Sequence, residues 1–404
     1  MTATASKRDA AASPTRSAAT SYYLLVAATT ILVVLGLAMV LSSSSILSIR
    51  QTDGNPYALF MVQAMAMAVG LVALIIGSRL SVKTWKRLAP WILFGSIALL
   101  MLVYVAGTSS GGNKNWLKVG PITMQPSEIG KLGIALYLGV VLATFRNELT
   151  NLKRALVPGG IGAGIVLALV LAGHDMGTAM VMAMMIAAAY WVAGLPARFF
   201  GLFAVLGGVG VLALINIGDT RLDRIQTFLK PEGCDIQAAC QQTTHGTWAL
   251  ASGGLWGLGP GMSREKWGGL PAADNDFIFA VLGEEYGLIG TVLVLLAFAM
   301  IVIAVTRIVS RSRDPFVQIA GAAIGVWIVG QACVNIAVVV GLAPVTGVPL
   351  PIVSSGGSSL IMSMTALGVL MAFARHEPGA QEAFAARPSV IKRSLTVLSR
   401  GRRG

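Results

Sequence analysis

Ten apolar runs, each long enough to cross about 30 Å of hydrocarbon as a helix, recur along this chain. They lie near residues 22–44, 57–78, 89–107, 127–145, 156–173, 177–194, 199–217, 286–306, 316–341 and 356–374. In lipid every backbone amide and carbonyl must be satisfied internally, which a helix does within one segment. The charge content agrees. Only 12% of the 404 residues are charged and 55% are hydrophobic, whereas a soluble domain carries about 25% charge. The reading is an all-α integral membrane protein of about ten transmembrane helices. Its first run is too long for a signal-peptide core and has no convincing cleavage site, so it reads as an uncleaved span.

A formal charge of +13 raises nucleic acid as a partner, but the placement of the charges excludes it. Twenty-one lysines and arginines fall in the two tails and the even-numbered loops, eight fall on the opposite face, and Lys131 lies within the fourth run. Such asymmetry marks a cytoplasmic face. It places both termini in the cytoplasm, as an even number of spans requires. Residues 1–20 read as a disordered tail, 21–375 as the membrane domain and 376–404 as a basic tail. The outer loops are then 108–126, a large extracytoplasmic loop of about 218–285 between spans seven and eight, and 342–357. These are long, polar and rich in Gly and Pro, and elaborate loops are where chemistry tends to sit. No internal repeat is evident, which weakens an inverted-repeat transporter reading.

Four stretches at or near the outer face hold the candidate side chains. Asn115-Trp116-Leu117-Lys118-Val119-Gly120 leads into Gln125-Pro126-Ser127-Glu128 and Lys131. Glu128 and Lys131 are three apart, so on a helix they share a face and can pair. Ionisable groups within a span normally face a polar cavity. A structural ion pair and a substrate site both satisfy this spacing, and Trp116 would serve equally as an interfacial anchor. In the second stretch, His174-Asp175-Met176-Gly177-Thr178, Asp175 either caps the sixth helix or meets substrate or a cation.

The third stretch is the long loop. It carries Arg221, Arg224, Cys234, Cys240, Arg264, Lys266, Asn275-Asp276-Phe277-Ile278-Phe279 and Gly283-Glu284-Glu285. Asp276 directly precedes an apolar helical run, so it is either an N-cap or a general base with cations nearby for an anionic leaving group. Glu284 and Glu285 support the loop or line the cavity. Outside the cytoplasm, Cys234 and Cys240 are a candidate disulfide; Cys333, inside an apolar run, reads as a packing residue. The fourth stretch runs from Pro344 to Ser359 and includes Ser354-Ser355-Gly356-Gly357. Consecutive amides in such a turn can cradle an anion. No Gly-Lys-Ser/Thr follows, so it is not a P-loop. It reads as a broken or re-entrant segment.

These stretches, in this order, resemble the signatures of the SEDS family (FtsW/RodA/SpoVE). The matching segments are NWLKVGPITMQPSE with Lys131, HDMGT, ALASGGLWGLGPG, KWGGLPAADNDFIFAVLGEEYG, and Gln331 and Asn335 followed by LAPVTGVPLPIVSSGGSS. The resemblance covers about residues 20–375. It implies a peptidoglycan glycosyltransferase that polymerises lipid II, with Asp276 matching the family's essential aspartate as general base and Trp116 its required loop tryptophan. Lys131, Arg264 and Lys266 are then candidates for the pyrophosphate. Gln125, Ser127, Glu128, Asp175, Ser354, Gly356 and Gly357 complete the candidate substrate-binding set.

A divalent cation (Mg or Mn) would share the task, with no organic cofactor. NDFIF followed by GEEYG looks more like the division branch, FtsW, than the elongation branch, RodA. The implied partners are undecaprenyl-pyrophosphate-linked glycan, a class B penicillin-binding protein and other division proteins, in the bacterial cytoplasmic membrane at the septum. A RodA-like elongation polymerase and a lipid II flippase are the alternatives. The chain departs from the family pattern at Asn115, where arginine is common, and at Gly173-His174, in place of Gln-Pro. Ala272 and Asp274 stand where glutamate and histidine are common, and Ser355 replaces a frequent tyrosine.

Overall fold

Helices dominate because the sequence offers apolar stretches of spanning length and lipid leaves the backbone no other economical way to satisfy itself. The computed structural model describes residues 19–52, 54–110, 113–119, 122–148, 152–201 and 240–385, with positions 205, 208 and 228. Among the described residues eight helices are long and apolar enough to cross a membrane. They are α1 (Thr20–Gln51), α2 (Ala58–Arg79), α3 (Val82–Ala106), α4 (Pro126–Thr144), α6 (Met176–Ala193), α8 (Ile278–Arg311), α9 (Pro315–Val339) and α10 (Gly357–Arg375). Helix α5 (Leu152–Ala172) contains the shorter apolar stretch Val157–Ala172. Helices α7 (Gln241–Gly253) and α11 (Ala380–Ala385) are too short to span.

Nine of the ten expected runs are therefore helices. All but a few positions of the run near 199–217 lie outside the described residues, as do Arg221, Arg224 and Cys234 and the tails 1–18 and 386–404. Three features depart from the sequence reading. The loop 108–126 contains a three-stranded antiparallel sheet, β1 (Thr108–Ser110), β2 (Asn113–Val119) and β3 (Ile122–Met124), in the order β1-β2-β3. The large loop contains α7. Helix α8 begins at Ile278, well before the predicted 286. It is broken at Gly287 (φ 63°, ψ −158°), so a short buried segment carrying Glu284 and Glu285 precedes the spanning part.

Close backbone approach holds the helices, since between lipid-solvated helices packing and polar contacts replace the hydrophobic drive. Helices α2 and α10 pack closely along their length. A Cβ on Gly368 would lie 2.6 Å from the carbonyl oxygen of Leu74, and one on Gly70 would lie 2.7 Å from Met364 Sδ. One end of the bundle is tied by cations. Lys86 pairs with Asp314 at 2.8 Å, Arg311 approaches Glu377 at 4.0 Å, Arg307 donates to Ser21 and Arg375 to the carbonyl of Ser78. The other end carries the sheet, α7 and the irregular segment 340–356. Helix α1 links the two, with Ser21 at the cationic end and Ser42 bonded to Glu285 at the other.

Candidate functional site

Helix α9 is interrupted at its centre by a π turn, Val326–Gly330, a distortion frequent at functional sites. Directly after it, Gln331 and Asn335 face the irregular segment. Asn335 Nδ2 donates to the main-chain oxygens of Asp276 (2.7 Å) and Val348 (2.8 Å). One buried amide thus binds the 270–277 loop to the 342–356 segment. More bonds tighten the same junction: Ser354 Oγ donates to the carbonyl of Asn275 at 2.8 Å, and Ser355 donates from its hydroxyl to Asp274 Oδ2 and from its N–H to Asp274 O, both at 2.9 Å. A Cβ built on Gly347 (φ 71°) would lie 3.7 Å from Asp276 Oδ2. Asp276 is not the N-cap of its helix. The N-cap of α8 is Phe277, with no side-chain capping bond.

Asp175 does cap. Its Oδ1 accepts from Thr178 N at 3.0 Å. Its Oδ2 accepts from Asn115 Nδ2 and Gln125 Nε2, each at 3.0 Å, and charge-assisted bonds of this kind are the strong ones. The sheet loop is thereby fastened to the 174–178 turn, with Trp116 half-buried on β2 opposite Thr108. Gln125 N also donates to Ser358 Oγ at 3.3 Å, which reaches α10. Across the turn, a Cβ on Gly177 would lie 2.6 Å from Thr346 O. Asp175 and Asp276 therefore border the same short segment, residues 346–348. The structure joins all four sequence stretches in one assembly.

Three non-glycine residues have positive φ among the described residues: His174, Ala272 and Ile352. Each sits in a different one of the converging loops. Left-handed backbone costs an L-residue roughly 1–2 kcal/mol, and such strain concentrates where the surroundings over-determine a functional geometry.

The predicted cations separate. Lys131 is buried, pairs with Glu128 at 2.9 Å and donates to Gln331 Oε1 at 2.9 Å, with its ammonium 5.0 Å from the Trp327 ring centre. Gln331 Nε2 in turn donates to Pro349 O at 2.9 Å. Lys266 is also buried, and its ammonium meets Ser42 Oγ (2.7 Å), Gly261 O (2.7 Å) and Glu285 Oε1 (2.8 Å). Three acceptors fill the three donors of an ammonium. Arg264 differs: its side chain is exposed, while its N–H donates to Glu284 Oε1 at 2.9 Å.

The expected anion cradle is not open. The amides of Ser354, Ser355 and Gly356 bond Leu350 O, Asp274 O and Gln63 Oε1; Gly357 begins α10. Ser127 is buried at the start of α4. Cys240 is disulfide-bonded, and Cys333 is a free, exposed thiol rather than a packing residue. Sequence reasoning gave no task to Gln63, which spans the junction by donating to Ser354 O (3.3 Å) and accepting from Gly356 N (3.2 Å). A lone glutamine inside an apolar run was the signal available. Asn335 entered only as part of a motif; a second lone amide within a span, it carries the same signal.

A helical membrane bundle whose polar, strained loops gather two aspartates at one end belongs with membrane-embedded enzymes that act on substrates at the bilayer surface. The profile of the FtsW/RodA/SpoVE family, described as "Cell cycle protein", matches residues 22–378. The chain belongs to this family. It is 38% identical over 366 residues to the probable peptidoglycan glycosyltransferase FtsW of Mycobacterium tuberculosis, covering 89% of this chain and 69% of that protein. It is 32% identical over 347 residues to stage V sporulation protein E of Bacillus subtilis, covering 85% and 93%. Among solved structures it resembles a chain of a peptidoglycan synthase complex (TM-score 0.70, 26% identity, 87% of this chain and 96% of that one), described in terms of coordinated polymerization and crosslinking. It also resembles the rod shape determining protein RodA of Thermus thermophilus (TM-score 0.64, 26% identity, 87% and 96%).

Proposed function

We propose that this chain polymerises lipid II into glycan strands at the outer face of the bacterial cytoplasmic membrane, with Asp276 as general base, for septal wall synthesis. Membership of the family and the curated name of its FtsW relative, peptidoglycan glycosyltransferase, support the activity. The observation that carries the assignment of the base is the position of Asp276. It sits where the four motif stretches meet, one residue before the N-cap of α8, and is held through its main chain by Asn335. The 4-hydroxyl of one lipid-linked disaccharide attacks the anomeric carbon of another, or of the growing chain. Asp276 takes the hydroxyl proton as the bond from that carbon to undecaprenyl pyrophosphate breaks, and the pyrophosphate leaves with the bonding electrons.

Arg264, with its exposed side chain, is the cation suited to the leaving group. Lys131 and Lys266 act instead as buried struts, fixing Gln331 and Glu285. Trp116, Gln125 and Asp175 shape the opposite wall of the site, and Ser127, Glu128, Ser354, Gly356 and Gly357 support it. No group of three His, Cys, Asp or Glu converges among the described residues. That fits a Mg or Mn ion arriving with the pyrophosphate, since Mg²⁺ is commonly held by one or two carboxylates plus substrate phosphates. Such an ion would sit at the leaving group, on the side away from the base, and would neutralise developing charge there.

The cationic end of the bundle faces the cytoplasm by the positive-inside rule, which puts both termini there. The likeness to a synthase complex that couples polymerization to crosslinking supports a class B penicillin-binding protein as partner. The test is glycan formation from purified lipid II by the solubilised chain with that partner, comparing wild type with Asp276→Asn. Polymer from wild type alone establishes the base. Equal polymer from both overturns that assignment, and polymer from neither, with cation and partner present, points to transport of lipid II.

A further inference from the structure

At the cationic end, a groove with a cavity volume of ≈ 970 Å³ runs between α1, α2 and α10 under α11. Its walls are apolar along most of their length, with Val26 and Val33 from α1 and Leu71 and Ile75 from α2. Val26, Leu71 and Ile75 are among the exposed hydrophobic residues, so the groove opens sideways toward lipid. The end toward the termini of α2 and α10 is polar. Arg79 and Arg375 converge there beside Ser78 and continue into a smaller cavity of ≈ 370 Å³ that adds His376. Arg375 donates to Ser78 O at 3.3 Å. Among the described residues neither arginine forms an ion pair with a carboxylate.

We propose that this groove binds an anionic glycerophospholipid of the cytoplasmic leaflet. Its phosphate lies between Arg79 and Arg375, and one acyl chain lies along the α1–α2 seam. Two observations select this occupant. Charge comes first: basic pockets between membrane helices on the cytoplasmic side suit anionic headgroups. Length comes second. At 1.5 Å per residue, the lining from Arg79 to Leu71 spans about 12 Å and that from Tyr22 to Val33 about 16 Å. Half of a 30 Å hydrocarbon core is about 15 Å, so the seam is one leaflet deep. A partner's transmembrane helix would need a seam through both leaflets, and a soluble phosphate would have no use for the apolar part. The proposal rests on the orientation given above.

The experiment is native mass spectrometry of the full chain released from nanodiscs of equal phosphatidylglycerol and phosphatidylcholine. It reads lipid retention in a symmetric bilayer, so its result depends neither on polymerase activity nor on orientation. Wild type is expected to retain phosphatidylglycerol about thirty-fold over phosphatidylcholine, the effect of two cations at an anionic headgroup. Arg79→Gln/Arg375→Gln is expected to lose that preference. Lys83→Gln/Arg313→Gln, on the same end but outside the groove, is expected to keep it. Val33→Trp, which fills the seam with both arginines intact, is expected to lower retention of phosphatidylglycerol. Undiminished preference in the arginine double variant overturns the proposal, as does equal retention of both lipids by wild type. So does arginine-dependent binding of inorganic phosphate without retained phosphatidylglycerol, because the site would then take a soluble anion.

Discussion

Asn335 holds Asp276 by the backbone, its Nδ2 donating to the aspartate's carbonyl oxygen at 2.7 Å and to Val348 O at 2.8 Å. The position of the carboxylate therefore depends on a side chain two helices away in sequence. Replacing Asn335 by Asp keeps the volume and removes the donor when the new carboxyl is ionised. Asn335→Asp should lower the polymerisation rate by about 10- to 100-fold, the scale of a displaced reacting group. The KM for lipid II should change by less than about three-fold, since the lost contact is not with substrate. Stability should fall by roughly 1–3 kcal/mol for carbonyls left unsatisfied. A rate unchanged within two-fold would mean that Asp276 is placed by other contacts.

Two glycines at segment 346–348, Gly347 within it and Gly177 packed against it, should behave differently. At Gly347 (φ 71°) a Cβ meets Asp276 Oδ2 at an ordinary 3.7 Å. Gly347→Ala therefore pays only for its backbone conformation, about 1–2 kcal/mol. At Gly177 a Cβ would lie 2.6 Å from Thr346 O and 2.7 Å from Val348 Cγ2, so Gly177→Ala must displace the segment itself. Overpacking of this kind costs about 1–3 kcal/mol. It should also lower polymer yield well below that of Gly347→Ala when folded fractions are matched. Equal activities for the two variants would show that the segment's position does not matter to the reaction.

The helical frame was legible because lipid makes a long apolar run nearly synonymous with a helix, and local spacing offered the Glu128–Lys131 pair and the Asp175 cap, each beside a substrate-binding alternative. Three things were hidden, each for a physical reason. The sheet at 108–124 carries mixed polar and apolar residues in short pieces, too short for alternation to stand out. The early start of α8 was masked by Gly283, Glu284 and Glu285, which read as loop until burial against Lys266 and Ser263 explains them. The fate of Lys131 and Lys266 was invisible because sequence shows a charge but not its acceptors. Lys266 read as a cation for the pyrophosphate and Lys131 as either that or the partner of Glu128, and tertiary contacts enclose both.

Lys266 and Glu285 supply a test of that last point. Their side chains are 3% and 0% exposed, so Lys266→Met leaves a carboxylate buried without its cation and should cost about 3–5 kcal/mol. Adding Glu285→Met removes the stranded charge and should recover most of that loss, since an apolar pair can replace a buried ion pair at little net cost. The readout is denaturation in detergent of the two single variants and the double variant. KM for lipid II in the refilled double variant should stay near wild type. A large rise in KM there would return Lys266 to the substrate.

Glu377, just beyond the end of α10, links stability to pH. Burial raises its carboxyl above the ordinary 4.5, and the opposing pull of Ser21, Arg311 and Arg307 does not cancel the rise. The folded protein therefore holds this proton more tightly than the unfolded chain does. The resulting stabilisation is fully present below pH 4.5 and is lost as pH rises through the folded-state value. At pH 7.5 the wild type thus carries a buried carboxylate at a cost, which Glu377→Gln removes. The variant should melt higher than wild type at pH 7.5, and the gap should shrink steadily as pH is lowered toward 4.5. If Glu377→Gln instead melts lower at pH 7.5 and the gap closes on acidification, the arginines outweigh burial and the folded-state value lies below the ordinary one.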